Sequence, residues 1–165
     1  MLFNYGEILN RLKRFAAARE VSQRALEILE GNVNPDGLIL AYPLAALGVG
    51  YLDDGMPEQA LPLLERAVRI RDANESESAL RGEVHFALAR ALRATNGGSP
   101  RAAALAQTAL GEFSRALHVP GARREIGRLQ EWLDGIRVDE ALIPGVAHRS
   151  TPDAGQATAV ARTKR

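Results

Sequence analysis

An all-α fold of stacked helical hairpins is predicted by three features of this 165-residue chain. A pattern recurs after 42 residues: Gly6, Ala18, Ala25 and Leu26 line up with Gly48, Ala60, Ala67 and Val68. Within each copy the glycine is followed by Ala twelve positions on and by a second Ala seven further. Alanine is abundant and aromatic residues make up 5%, which suits close-packed helices better than sheet. A fixed period of this size marks helix-turn-helix units that bury apolar faces against their neighbours and leave a concave surface for binding.

The elements follow in order. Leu2, Tyr5, Leu9 and Leu12 recur at helical spacing, and a second helix reads through Val21, Ala25, Leu26 and Leu29. Gly31 to Gly37 is a run of turn residues. A third helix is predicted from Leu38 to Leu52, ending at Asp53-Asp54-Gly55, and a fourth from Pro57, a residue suited to a first helical turn, to Arg71. Pro62 inside it removes one backbone hydrogen bond and predicts a bend. The fifth helix carries Val84, Leu88, Ala91 and Leu92. Ser99 as N-cap and Pro100 at the first helical position open the sixth, which reaches Leu117. Ile126, Leu129, Leu133 and Ile136 form one stripe of a seventh helix whose other face carries Arg123, Arg124, Arg128 and Glu131, the pattern of a capping helix.

The predicted organisation is therefore a first hairpin over 1–30, a second over 38–72, a looser third over 77–117, a capping helix over 122–138 and a disordered tail over 144–165. The first hairpin reads as lacking its beginning, as if cut from a longer array.

Composition excludes several function classes. The apolar fraction of 46% supports a buried core, and the net charge of +1 supplies no field that would draw nucleic acid or an acidic membrane. Without cysteine there are no disulfides, thiolate metal sites or cysteine nucleophiles. Neither a signal peptide nor a membrane-length apolar run is visible, so a cytoplasmic location is expected. His85, His118 and His148 have no ligand partner at i+3 or i+4. Gly48-Val49-Gly50 is followed by Asp53 where a nucleotide-binding loop needs glycine, and kinase and serine-hydrolase motifs are missing. No enzyme, cofactor or metal is expected. Arg66, Arg69 and Arg71 read as the wet face of helix four, paired with Glu65 and Asp72, and Asp53 and Asp54 as turn residues. The basic end at Arg162 to Arg165 lacks interleaved aromatics, which argues against nucleic acid.

The stretch Leu47-Gly48-x-x-Tyr51-x-x-x-Gly55 followed by Ala60 and Ala67 resembles a tetratricopeptide repeat. Pro57 to Arg71, with the 42-residue period and the Asn34-Pro35-Asp36 connector, is similar to the kinesin light chain type. The first copy matches through Gly6, Phe15, Ala18, Ala25 and Leu26, with Ser22 in place of a large residue. The third matches through Leu88, Ala89, Leu92, Ala102 and Ala109 if the Asn96-Gly97-Gly98 turn holds one extra residue. Phe86 to Thr95 and Glu125 to Leu133 also resemble the C-terminal repeat regions of myxobacterial Ser/Thr protein kinases. Glycine in mid-helix costs about 1 kcal/mol relative to alanine, so Gly6 and Gly48 are expected to mark close helix approaches, with Ala18, Ala60 and Ala102 facing the repeat's small residue.

The resemblance implies a right-handed superhelix with a partner-binding concave groove. It places there Phe3, Asn4, Glu7 and Asn10 from repeat one, Tyr42, Ala45, Ala46, Val49 and Leu52 from repeat two, and Phe86, Ala87, Arg90 and Arg93 from repeat three. Ala46 and Glu83 depart from the subgroup that clamps an acidic C-terminus. An apolar middle with charged ends favours an apolar protein segment, a helical one included. Tyr42 and Arg90 are the expected hot spots, replaceable by alanine without unfolding, with Arg69 as the neutral control. The partner is unidentified. The alternative to a stand-alone interaction module is a regulatory region acting beside a kinase domain in the same chain.

Overall fold

The computed structural model describes the backbone of residues 2–74, 77–96 and 99–142, and side chains within 5–74, 77–95 and 99–136. The expected tail over 144–165, His148 and the Gly97-Gly98 turn lie outside the described residues. Among those described there are seven α-helices and no strand. They are α1 (Leu2–Arg11), α2 (Phe15–Glu30), α3 (Ala41–Asp53), α4 (Pro57–Ala73), α5 (Ser78–Asn96), α6 (Pro100–Arg115) and α7 (Ala122–Leu142), with a 3-10 turn at Leu38–Leu40. The pairs α1–α2, α3–α4 and α5–α6 pack as hairpins, each second helix packs on the next element, and α1, α3 and α5 touch in series. Among the described residues no helix is long and apolar enough to cross a membrane.

The second helices keep the 42-residue register in three dimensions. Ala18, Ala60 and Ala102 are fully buried, as are Ala67 and Ala109, and Ala25 nearly so. The residue that meets the glycine, however, lies one turn further along. A Cβ on Gly48 would sit 2.7 Å from Leu64 Cγ, and one on Gly6 would sit 2.2 Å from Ser22 Oγ, with the Ala18 carbonyl oxygen 3.5 Å away. Ala60 is not among the atoms nearest Gly48. Residues four apart share a helix face, which is why the sequence points to the right stripe and the wrong turn of it.

The hairpin turns repeat as well. Gly55 has φ +78°, with Met56 N–H donating to the Tyr51 carbonyl and Gly55 N–H to that of Leu52. Forty-two residues earlier, Lys13 holds φ 57°, with Arg14 N–H donating to Leu9 and Lys13 N–H to Asn10. Both are left-handed helix C-caps with the same pair of bonds, glycine in one and a strained lysine in the other.

Two helix starts are modified by backbone chemistry. The segment from Leu38 begins as a 3-10 turn because Pro43 has no N–H to offer the Ile39 carbonyl, so the α-helix starts at Ala41. Helix α4 continues through Pro62, whose ring is exposed. Ser99 takes the N-cap position with ψ 125° but makes no side-chain cap; its carbonyl instead accepts from Ala102 and Ala103. Helix α7 extends to Leu142, past the expected 138.

The core runs along the stack. Leu40, Leu44 and Leu47 join Leu26, Ala67 and Ile70. Next come Leu52, Leu64, Leu88 and Ala91, then Phe113, Leu129 and Leu133. Each fully buried leucine contributes about 1.5–3 kcal/mol. On the first hairpin Tyr5, Ile8 and Leu12 remain half-exposed or more. Polar ties reinforce the stack: Asp54 pairs with Arg19 of the preceding hairpin and Asp53 with Arg90 of the following one, at 2.6 Å for the latter. These aspartates thus bridge repeats and are more than turn residues. Arg66 pairs with Glu30 and donates to the Pro35 carbonyl, and Glu65 pairs with Arg101, so the expected pairings within α4 do not form.

Candidate functional site

The first helices of the hairpins turn one face inward, and α7 folds across its far end. Together they enclose a channel of about 250 Å³. Residues three and four apart share a helix face, so α1 contributes Glu7, Asn10 and Arg11, while α3 contributes Tyr42, Ala45, Ala46, Val49 and Asp53. Leu80 and Glu83 of α5, Arg71 of α4, and Glu125 and Arg128 of α7 complete it. The middle helix, α3, lends mostly apolar side chains, and the charges come chiefly from α1 on one side and from α5 and α7 on the other.

Of the residues placed in the groove by the sequence, six line this channel: Glu7, Asn10, Tyr42, Ala45, Ala46 and Val49. Asn10 is 8% exposed, and its Nδ2 donates to the Ala46 carbonyl at 2.7 Å, pinning α1 to α3. Gly50 permits that approach, since a Cβ there would lie 3.1 Å from Asn10 Oδ1. Leu52 and Ala87 are buried between hairpins two and three. Phe86 is buried too, edge-on to Trp132 of α7 at a centroid distance of 5.6 Å and an interplanar angle of 88°. The Arg93 guanidinium lies over the same indole, 5.4 Å from its centroid. Trp132 therefore occupies the concave face of the third hairpin. Arg90 is half-buried in its pair with Asp53. The side chains of Phe3 and Asn4 lie outside the described residues.

Arg71 is the principal correction to the sequence reading. It is 2% exposed, and its guanidinium carbon stands 4.8 Å from the centroid of the Tyr42 ring. Burial pushes its pKa below the ordinary value, opposed by Tyr42, with which it shares a side-chain hydrogen bond, and by the charges of Glu83 and Glu7. A signal was available: Ala60, Leu64, Ala67 and Arg71 form one stripe at i, i+4, i+7 and i+11. The 42-residue register puts Leu29 and Phe113 at the same place in the other hairpins. Tyr42, supporting this cation, is half-buried, so its removal will be felt by the fold.

Glu83 is accessible yet enclosed by the channel walls. Desolvation raises its carboxyl pKa, Glu7 and Glu125 add repulsion, and Arg71 and Arg11 oppose the shift without cancelling it. Glu7 is bound to Arg11 at 2.7 Å and Glu125 to Arg128 at 2.8 Å. Outside the channel, His85 is buried with Nε2 3.3 Å from Asp72 Oδ2, and His118 is exposed.

Residues 1–73 match the sequence model of the tetratricopeptide repeat family, a span that ends with α4. No curated protein matches the chain.

Proposed function

From a chain whose first 73 residues carry tetratricopeptide repeats, a non-catalytic module that generally mediates protein–protein interaction, we propose a binding module that takes a segment of a partner protein into the channel between α1, α3, α5 and α7. The supporting observation is the channel itself, with apolar surface at Tyr42, Ala45 and Val49 flanked by polar groups that fix orientation. Its volume lies below that of drug-sized pockets, about 300–1,000 Å³, so it suits one or two inserted side chains better than a whole helix.

Peptides selected from a random display library on the immobilised chain test this reading. Val49→Arg fills the channel and should abolish their binding, whereas Arg69→Ala, on the exposed surface of α4, should leave it unchanged. Peptides that bind Val49→Arg as well as wild type would place the site elsewhere.

A further inference from the structure

We infer that Glu83 receives a basic side chain, lysine or arginine, of the segment bound in the channel. This rests on the proposed function and specifies the chemistry of the occupant.

Each of the other channel carboxylates already holds an arginine: Glu7 holds Arg11, Glu125 holds Arg128 and Asp53 holds Arg90. Among the described residues Glu83 makes no such ion pair, and it is exposed toward the opening. Arg71 attracts it, but that guanidinium is buried against Tyr42 and does not close on it. Glu7 and Glu125 face the same carboxylate from α1 and α7 and add negative potential, so an acidic segment is repelled and a cation drawn in.

The rest of the channel suits the stem of such a side chain. Tyr42, Ala45 and Val49 offer apolar surface to the methylenes of a lysine or arginine whose charged head reaches the flanking polar groups. Asn10 closes the α1 side of the lining: it is 8% exposed, its Nδ2 is committed to the Ala46 carbonyl, and its Oδ1 is enclosed against Gly50. The pKa of Glu83 is raised first by desolvation and then by Glu7, a shift that Arg71 and Arg11 do not cancel.

The test uses two pools of fluorescein-labelled octapeptides in an alanine–leucine background, one with central lysine and one with central norleucine, read by fluorescence polarisation. The lysine pool should bind wild type about tenfold tighter. Glu83→Gln, its fold checked by circular dichroism, should erase that preference. Lowering the pH through the Glu83 titration should do the same, because a protonated carboxyl no longer attracts the cation; Glu7, Arg11, Tyr42, Asp53, Arg71, Glu125 and Arg128 are the other charged or titratable groups of the channel lining. A lysine preference that survives Glu83→Gln overturns the inference. Equal binding of both pools, blocked by Val49→Arg, overturns it while the channel reading stands. Binding of both pools to Val49→Arg, or of neither to wild type, overturns that reading too.

Discussion

The Arg71 guanidinium rests on the face of Tyr42, a cation held by a ring where the equivalent positions of the other hairpins, Leu29 and Phe113, are apolar. A desolvated cation–π contact contributes about 2 kcal/mol or more. Tyr42→Ala should cost at least that amount, and Arg71→Met, which restores the apolar character of the position, should be neutral or stabilising. Urea titration midpoints decide the matter. A Tyr42→Ala chain as stable as wild type would show that water reaches the guanidinium.

Lys13 carries strain that Gly55 avoids. A non-glycine residue in the left-handed region costs roughly 1–2 kcal/mol, so Lys13→Gly should raise stability by about 1 kcal/mol. Gly55→Ala should lower it by a similar amount. Thermal melts of the two variants should move in opposite directions.

Gly48 and Gly6 occupy the same repeat position but should respond differently to alanine. At Gly48 the new methyl meets Leu64, which is fully buried and has nowhere to turn, and overpacking of about 1–3 kcal/mol exceeds or cancels the gain in helix propensity. At Gly6 it meets the hydroxyl of Ser22, which can rotate. Gly6→Ala should therefore be tolerated and Gly48→Ala should lower the melting temperature. Equal effects would mean that Leu64 repacks freely.

Glu112 and Glu83 predict opposite responses to acid. Burial of Glu112 works to raise its pKa, but hydrogen bonds from Arg81, Ser78 and Arg115 outweigh it and the net shift is downward. Its contribution is present above the ordinary carboxylate value of 4.5 and is lost as pH falls through the lowered one. Glu83, shifted upward, contributes stability that is full below that ordinary value and lost as pH rises through the raised one. Glu112→Gln should cost about 1.5–3 kcal/mol at neutral pH and flatten the acid limb of the stability profile. An unaltered acid limb would mean that the Arg81 and Arg115 bonds contribute nothing to the fold.

The alanine register, the helix order and the hairpin pairing could be read from sequence because close contact between helices admits few residue types. Six channel residues were legible for a related reason: they lie on the inner stripes of α1 and α3. The reach of α7 was not, since the stripe from Ile126 to Ile136 shows that one face is buried but not that Trp132 turns onto Phe86 and Arg93. Arg71 was missed because three arginines in a short run look like a solvated face. Its position at i+7 from Leu64 says otherwise.

With Tyr5, Ile8 and Leu12 bare along one flank, α1 is held by α2 and α3, while α3 is gripped on both sides by its own hairpin and by its neighbours. In a linear stack the coupling between adjacent units sets the order in which they open. Amide protons at Ile8 and Leu9 should then trade with deuterium before those at Leu47 or Leu88. A segment lying in the channel between α1 and Glu83 would slow that trade in α1 above all, acting as a clasp that ties α1 to α5 across α3.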